Sequence, residues 1–166
     1  QLLTIAAATS RPVAQPRRAT QGHVITVTSP TVPRAIGNTR LAVYVNPTTL
    51  QYLKDGVWAD RPNELFRQLL SDTIAARSDW VVVDPSVYTQ VQGVVLGGQL
   101  LRFGYDPNAS EAVVLFEASL ARPDQAVATN RFEARVPVGA ADAIQVAAAL
   151  NQASNQVAAQ VADWVG

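Results

Sequence analysis

The chain has 166 residues, enough for one domain that buries roughly 70% of the surface its unfolded form would expose. Thirteen Lys and Arg balance thirteen Asp and Glu, so no global attraction to nucleic acid is expected. Cysteine is absent, which removes disulfides, cysteine metal ligands and thiol nucleophiles, and no apolar run approaches the ~18–20 residues of a spanning helix. Methionine is also absent, including at position 1, so sequence upstream of Gln1 is expected. Charge is unevenly spread. Arg11, Arg17, Arg18, Arg34, Arg40 and Lys54 precede the first acid, Asp55. Such a leader suits an anionic membrane surface, at about 1 kcal/mol per basic residue, and equally a scatter of solvated arginines.

Residues 1–5 are short, apolar and β-compatible. Residues 6–22 carry Pro12, Pro16 and Gly22 and read as a tether-like segment, so the expected organisation is 1–22 as strand and tether and 23–166 as a single domain. Val24-Ile25-Thr26-Val27 and Leu41-Ala42-Val43-Tyr44-Val45 are strand candidates, because branched side chains suit a pleated surface. His23 sits at a strand edge with no second ligand type nearby and reads as a surface or capping residue. Tyr52 and Trp58 bracket Lys54-Asp55-Gly56, which reads as a turn. Asp60 is the expected N-cap of a helix with Pro62 in its first turn, and Phe66, Leu69, Leu70 and Ile74 recur at helical spacing.

Trp80-Val81-Val82-Val83 is bounded by Asp79 and Asp84-Pro85 and reads as a buried strand. Three longer strands are expected from about Val94 to Tyr105, Ala112 to Ala121 and Ala126 to Val138. The last alternates, with Ala128, Phe132, Ala134 and Val136 against Thr129, Arg131, Glu133 and Arg135, as in an antiparallel sheet with one wet face. Val114, Phe116, Ala118 and Leu120 give the middle strand its core face. Gly97, Gly98 and Gly104 suggest a bulge or close backbone approach. Asp142 caps a final helix whose stripe is Val146, Leu150, Ala153, Val157, Val161 and Trp164. Its other face, with Gln145, Gln152, Asn155, Gln156 and Gln160, is either a bland solvent face or a surface for a partner or a second copy. Each apolar face must find a partner, which predicts a two-layer α+β sandwich: a mixed, mostly antiparallel sheet with two main helices packed on one face.

Chemistry-bearing patterns are missing. A Ser/His/acid triad needs a base and a nucleophile turn, but there is one His and no G-x-S-x-G. Gly93 to Gly98 is followed by Gln99, so no phosphate-cradling Gly-Lys-Ser/Thr forms. Asp55 with Asp60, and Asp79 with Asp84, sit at turn and cap positions. The expectation is a protein that is not an enzyme, with no cofactor, no metal site and no nucleic-acid partner.

One resemblance runs nearly the whole length. Tyr52, Gly56, Trp58-Ala59-Asp60-Arg61-Pro62 and the Leu-rich helix after them resemble the auxiliary lipoprotein family of ABC-type transporters. Gln1 to Ile5 is similar to that family's opening strand, and Gly98-Gln99-Leu100-Leu101-Arg102-Phe103 to its central one. Arg131-Phe132 and the Ala-rich helix ending in Trp164 complete the pattern. The family's usual Ala-Asp-Tyr before the central strand is replaced by Gln92-Gly93-Val94.

The resemblance implies a periplasmic accessory lipoprotein of an Mce or paraquat-inducible type lipid-transport system in a Gram-negative envelope. Its lipid, on a Cys upstream of Gln1, would hold it to the outer membrane. Its partners would be an Mce-type periplasmic protein and the ABC permease and ATPase complex. The alternative is a soluble carrier holding a lipid between helices and sheet, which needs a largely apolar cavity of ~300–1,000 Å³. Tyr52 and Trp58 are the first candidates for partner binding, since Tyr and Trp are enriched at hot spots, although a Trp before a capped helix is more often a core anchor. Gln152 and Gln156, on the charge-free helix face, are the second pair.

Overall fold

The computed structural model describes residues 1–18, 23–85 and 93–166. The sheet is built on one long strand, β6 (Val94–Asp106), whose two edges are used differently. One edge pairs along its length with β7 (Glu111–Ala121), and β7 pairs with β8 (Ala128–Pro137), both antiparallel. The other edge is shared by two parallel strands. β2 (Val24–Val27) takes Val94 to Leu96, and β3 (Arg40–Asn46) takes Gly104 and Tyr105. Beyond β2 lies β5 (Val81–Val83), parallel; beyond β3 lies β4 (Thr49–Trp58), antiparallel, with β1 (Leu2–Leu3) against its end. The sheet is therefore mixed, and its long ladders are antiparallel, as expected.

Both helices lie on one face. Phe116 of β7 pairs with Phe132 of β8, so the two rings share a face. Phe66 of α1 (Pro62–Arg77) sits 4.9 Å from Phe116, and Trp164 of α2 (Ala143–Val165) sits 5.8 Å from Phe132. Between the layers, Leu41, Leu69, Leu70, Ile74, Leu96, Leu100, Val114, Val146, Leu150 and Val157 are buried in one cluster. The expected core faces of β7, β8 and α2 are thus the observed ones, except that Ala128 of β8 is exposed and Trp164 of α2 half-buried.

Three local expectations need correction. Asp60 is not the N-cap of α1. Arg61 occupies that position, extended at φ −62° and ψ 143°, because the residue before a proline is pushed out of the helical region and the helix begins at Pro62. Asp60 instead accepts a bond from the Arg61 N–H at 2.7 Å. Lys54-Asp55-Gly56 is not a turn either. β4 runs through it, but Ala42 pairs with Tyr52 and Arg40 with Val57, leaving four residues of β4 opposite Leu41 alone. That bulge carries Asp55 across to α2, where its Oδ2 accepts from the Ala143 N–H at 3.2 Å. Asp142 caps the same helix as expected, accepting from Gln145 N–H at 2.9 Å. Finally, β5 is half-buried rather than buried, because it is an edge strand.

The leading segment is held to the domain at its start and again at Arg17. Asn151 Oδ1 accepts from the Ala6 N–H at 2.8 Å, and Asn155 bonds both the Ala8 N–H and the Ala6 carbonyl. Two amides one helical turn apart thereby act as a surrogate strand for this backbone. Arg17 donates to the carbonyls of Ala75, Ser78 and Trp80 at 2.9, 2.7 and 3.1 Å, capping the end of α1 where helix carbonyls lack partners. Residues 19–22, the end of the expected tether, and residues 86–92, which include Gln92, lie outside the described residues.

Candidate functional site

The sheet face away from the helices carries the polar and aromatic side chains. Pairing places Tyr52, Ala42, Gly104, Val113 and Arg135 in one row across it. Its two ends differ in chemistry. Towards β8, charge is neutralised internally. Arg131 meets Glu117 at 3.0 Å, and Arg135 is surrounded by Asp106, Glu111 and Glu133 at 3.3, 3.6 and 3.4 Å. Burial opposes ionisation of Asp106, but the Arg135 bond and the backbone N–H groups of Ala109 and Asn108 outweigh it. Its carboxyl is held below the usual Asp range.

Towards β4 the cations are stacked on rings instead. The Arg40 guanidinium carbon lies 3.9 Å from the Tyr52 ring centroid, and that of Arg102 lies 4.4 Å from the Tyr44 ring. Both tyrosines are fixed. Tyr52 donates to the Ala35 carbonyl at 2.7 Å and accepts from Asn38 Nδ2 at 3.4 Å. Tyr44 accepts from the Phe103 N–H at 2.8 Å, next to the bulge at Leu101 where β6 slips against β7. Burial pushes the Tyr44 phenol above its usual range, despite that bond and the nearby Arg102. Gly104 makes room for it: a Cβ there would stand 2.9 Å from the Tyr44 ring and 2.5 Å from the Ala42 carbonyl oxygen. Among the described residues Arg40, Arg102 and Lys54 have no carboxylate partner, so this end is cationic and aromatic. A shallow cleft of about 640 Å³ borders it, lined by Arg40, Gln51, Tyr52, Leu53, Lys54 and Val57 among others.

The four sequence candidates fall in three environments. Tyr52 belongs to the cationic sheet face. Trp58, six residues along the same strand, points into the core at 1% exposure, its ring 5.4 Å from Phe103. Gln152 and Gln156 are exposed on α2, in the other layer, and are not brought together with Tyr52. The amide face does hold something: Asn151 and Asn155 bind the leading segment, while the glutamines beside them face outward. Sequence reasoning missed Arg40, Tyr44 and Arg102. Their only signal was Arg and Tyr alternating with apolar residues, which acquires meaning once β3, β4 and β6 are neighbours. Among the described residues no cluster of His, Asp or Glu is placed to hold a metal, and no helix is long and apolar enough to cross a membrane.

The fold and this surface define a two-layer α+β domain that presents a cationic, aromatic sheet face. Residues 2–162 match the model of the ABC-type transport auxiliary lipoprotein component, and the chain belongs to that family. Its class is thereby an auxiliary, membrane-anchored envelope component of ABC-type transport. Among solved structures it is similar to a Xanthomonas campestris protein described as DUF330. That pair is 22% identical with a TM-score of 0.81, covering 99% of this chain and 94% of that one. A second crystal structure, of an uncharacterized protein, is 15% identical with a TM-score of 0.77, covering 98% and 99%. At these identities the likeness is one of fold. No curated protein is significantly similar to the chain.

Proposed function

We propose that the protein is a non-catalytic accessory lipoprotein that docks onto the periplasmic component of an Mce-type lipid transporter, held to the outer membrane by lipid upstream of Gln1. The observation that carries docking over lipid carriage is the filled interlayer space. Phe66 on Phe116 and Trp58 on Phe103, with the leucines and valines around them, occupy the volume a carried lipid would need. Two surface clefts among the described residues are instead bordered by charged groups, Arg67, Asp72 and Asp84 in one and Arg77, Asp79 and Asp163 in the other, and the cleft beside β4 is shallow and open to solvent. A carrier pocket is predominantly apolar. Tyr52 is the proposed contact on the sheet face. Gln152 and Gln156 are proposed for a second contact, with a transporter subunit or another copy of this chain.

The test is co-purification of the full lipidated protein with the Mce-type subunit of its own envelope, together with lipid extraction and mass spectrometry. Association without stoichiometric internal lipid is expected. One bound lipid per chain and no association would replace docking by carriage. A free, unlipidated N-terminus on the native protein would remove the anchor.

A further inference from the structure

We propose that the outer edge of β4, from Thr49 to Lys54, is a docking site for an extended acidic segment of a partner protein, which joins the sheet as an additional strand. The inference rests on the docking role proposed above and names its surface and chemistry. β1 covers only Val57 and Trp58 of β4, so the outer backbone of the preceding residues has no strand partner among the described residues. An unpaired edge is a template for another chain, and main-chain bonding supplies affinity while alternate side chains supply selectivity.

Charge decides which chain. Among the described residues two long edges of this sheet are open, β4's and that of β8, which pairs there with β7 alone. Along β8 the arginines are already engaged by Glu117, Asp106, Glu111 and Glu133. Along β4, Lys54 is exposed with no ion pair among the described residues, and no guanidinium N–H of Arg40 donates to any of them. Arg40 therefore keeps its donor fork for a carboxylate, which it can bind at two points. Tyr52 beneath it is fixed by Ala35 and Asn38, so it offers contact area at little entropic cost. The shallow cleft lined by Gln51, Leu53 and Val57 gives the alternate, apolar side chains of such a strand a place to rest.

The test titrates the full chain with three heptapeptides alternating Val with Glu, Gln or Lys, and follows amide exchange. The Glu peptide is expected to bind about tenfold or more tighter than the Gln peptide, weakening as salt rises, and to protect the Thr49–Lys54 amides. Lys54→Glu, an exposed substitution that leaves the core untouched, should weaken it several-fold. Arg40→Gln should weaken it about tenfold, and Arg131→Glu should not. Equal binding of all three peptides, or protection centred on Ala128–Pro137, would overturn the proposal. So would binding of phosphatidylglycerol vesicles, with no peptide binding, that Lys54→Glu abolishes, since that assigns the patch to a membrane surface. If the peptide binds as expected but no transporter subunit co-purifies, the edge site stands and the transport docking role falls. If the Arg40→Gln, Lys54→Glu double variant still co-purifies at full strength, the edge site falls alone.

Discussion

Replacing Trp58 by Ala separates the core-anchor role from any contact role in one residue. The indole is 1% exposed and packs 5.4 Å from Phe103, and its strand is tied to the preceding loop by the Trp58 N–H to Thr39 carbonyl bond at 2.7 Å. Truncation leaves that backbone bond but empties the junction of β4, β6 and the leading segment. Losses of about 3–5 kcal/mol are usual for an emptied aromatic core site. At about 2–4 °C per kcal/mol for a domain of this size, the melting temperature should fall by about 6–20 °C. Trp58→Phe gives the second point. The Trp58 Nε1 is buried with no partner among the described residues, so removing it relieves a desolvated donor while keeping much of the ring, and the loss should stay below about 2 kcal/mol. Urea and thermal denaturation of both variants read these values directly. A loss below about 1 kcal/mol for Trp58→Ala, or equal losses for Ala and Phe, would refute the anchor role.

Further substitutions probe the other joints. Asn155→Ala removes the bonds to Ala6 and Ala8; amide exchange of residues 6–8 should accelerate while the α2 amides stay protected, and unchanged exchange would refute the strapping role. Gly98 has φ +139°, and a Cβ there would meet the Glu117 carbonyl oxygen at 2.0 Å, so Gly98→Ala should cost about 3 kcal/mol or more by urea denaturation. For Asp106 the folded-state pKa is depressed. Its contribution is therefore complete above the unfolded value of about 3.9 and is lost as pH falls through the lower folded value. Stability measured from pH 5 downward should show less acid sensitivity in Asp106→Asn than in the wild type, and parallel curves would refute the Arg135 pairing as its cause.

The periodic elements were written in the sequence because periodicity is a local record of burial. Phe132, Ala134 and Val136 alternate because β8 has one wet face, and Val146, Leu150 and Val157 recur because α2 has one dry one. Asp142 named its helix start for the same local reason: its side chain bonds three residues on. Where partners come from far along the chain, only the tertiary structure could decide. Asp55 looked like part of a turn, but the N–H it accepts from belongs to Ala143, 88 positions away. The amide face of α2 looked unpartnered until the backbone of Ala6 and Ala8, about 145 residues earlier, was laid along it. The sequence marked Trp58 as the better core anchor and left Tyr52 open, and only the pairing of β4 with β3 sends one into the core and leaves the other under Arg40. A residue's own spacing fixes which face it shares. Whether that face meets a helix, a cation or solvent depends on neighbours that spacing does not encode.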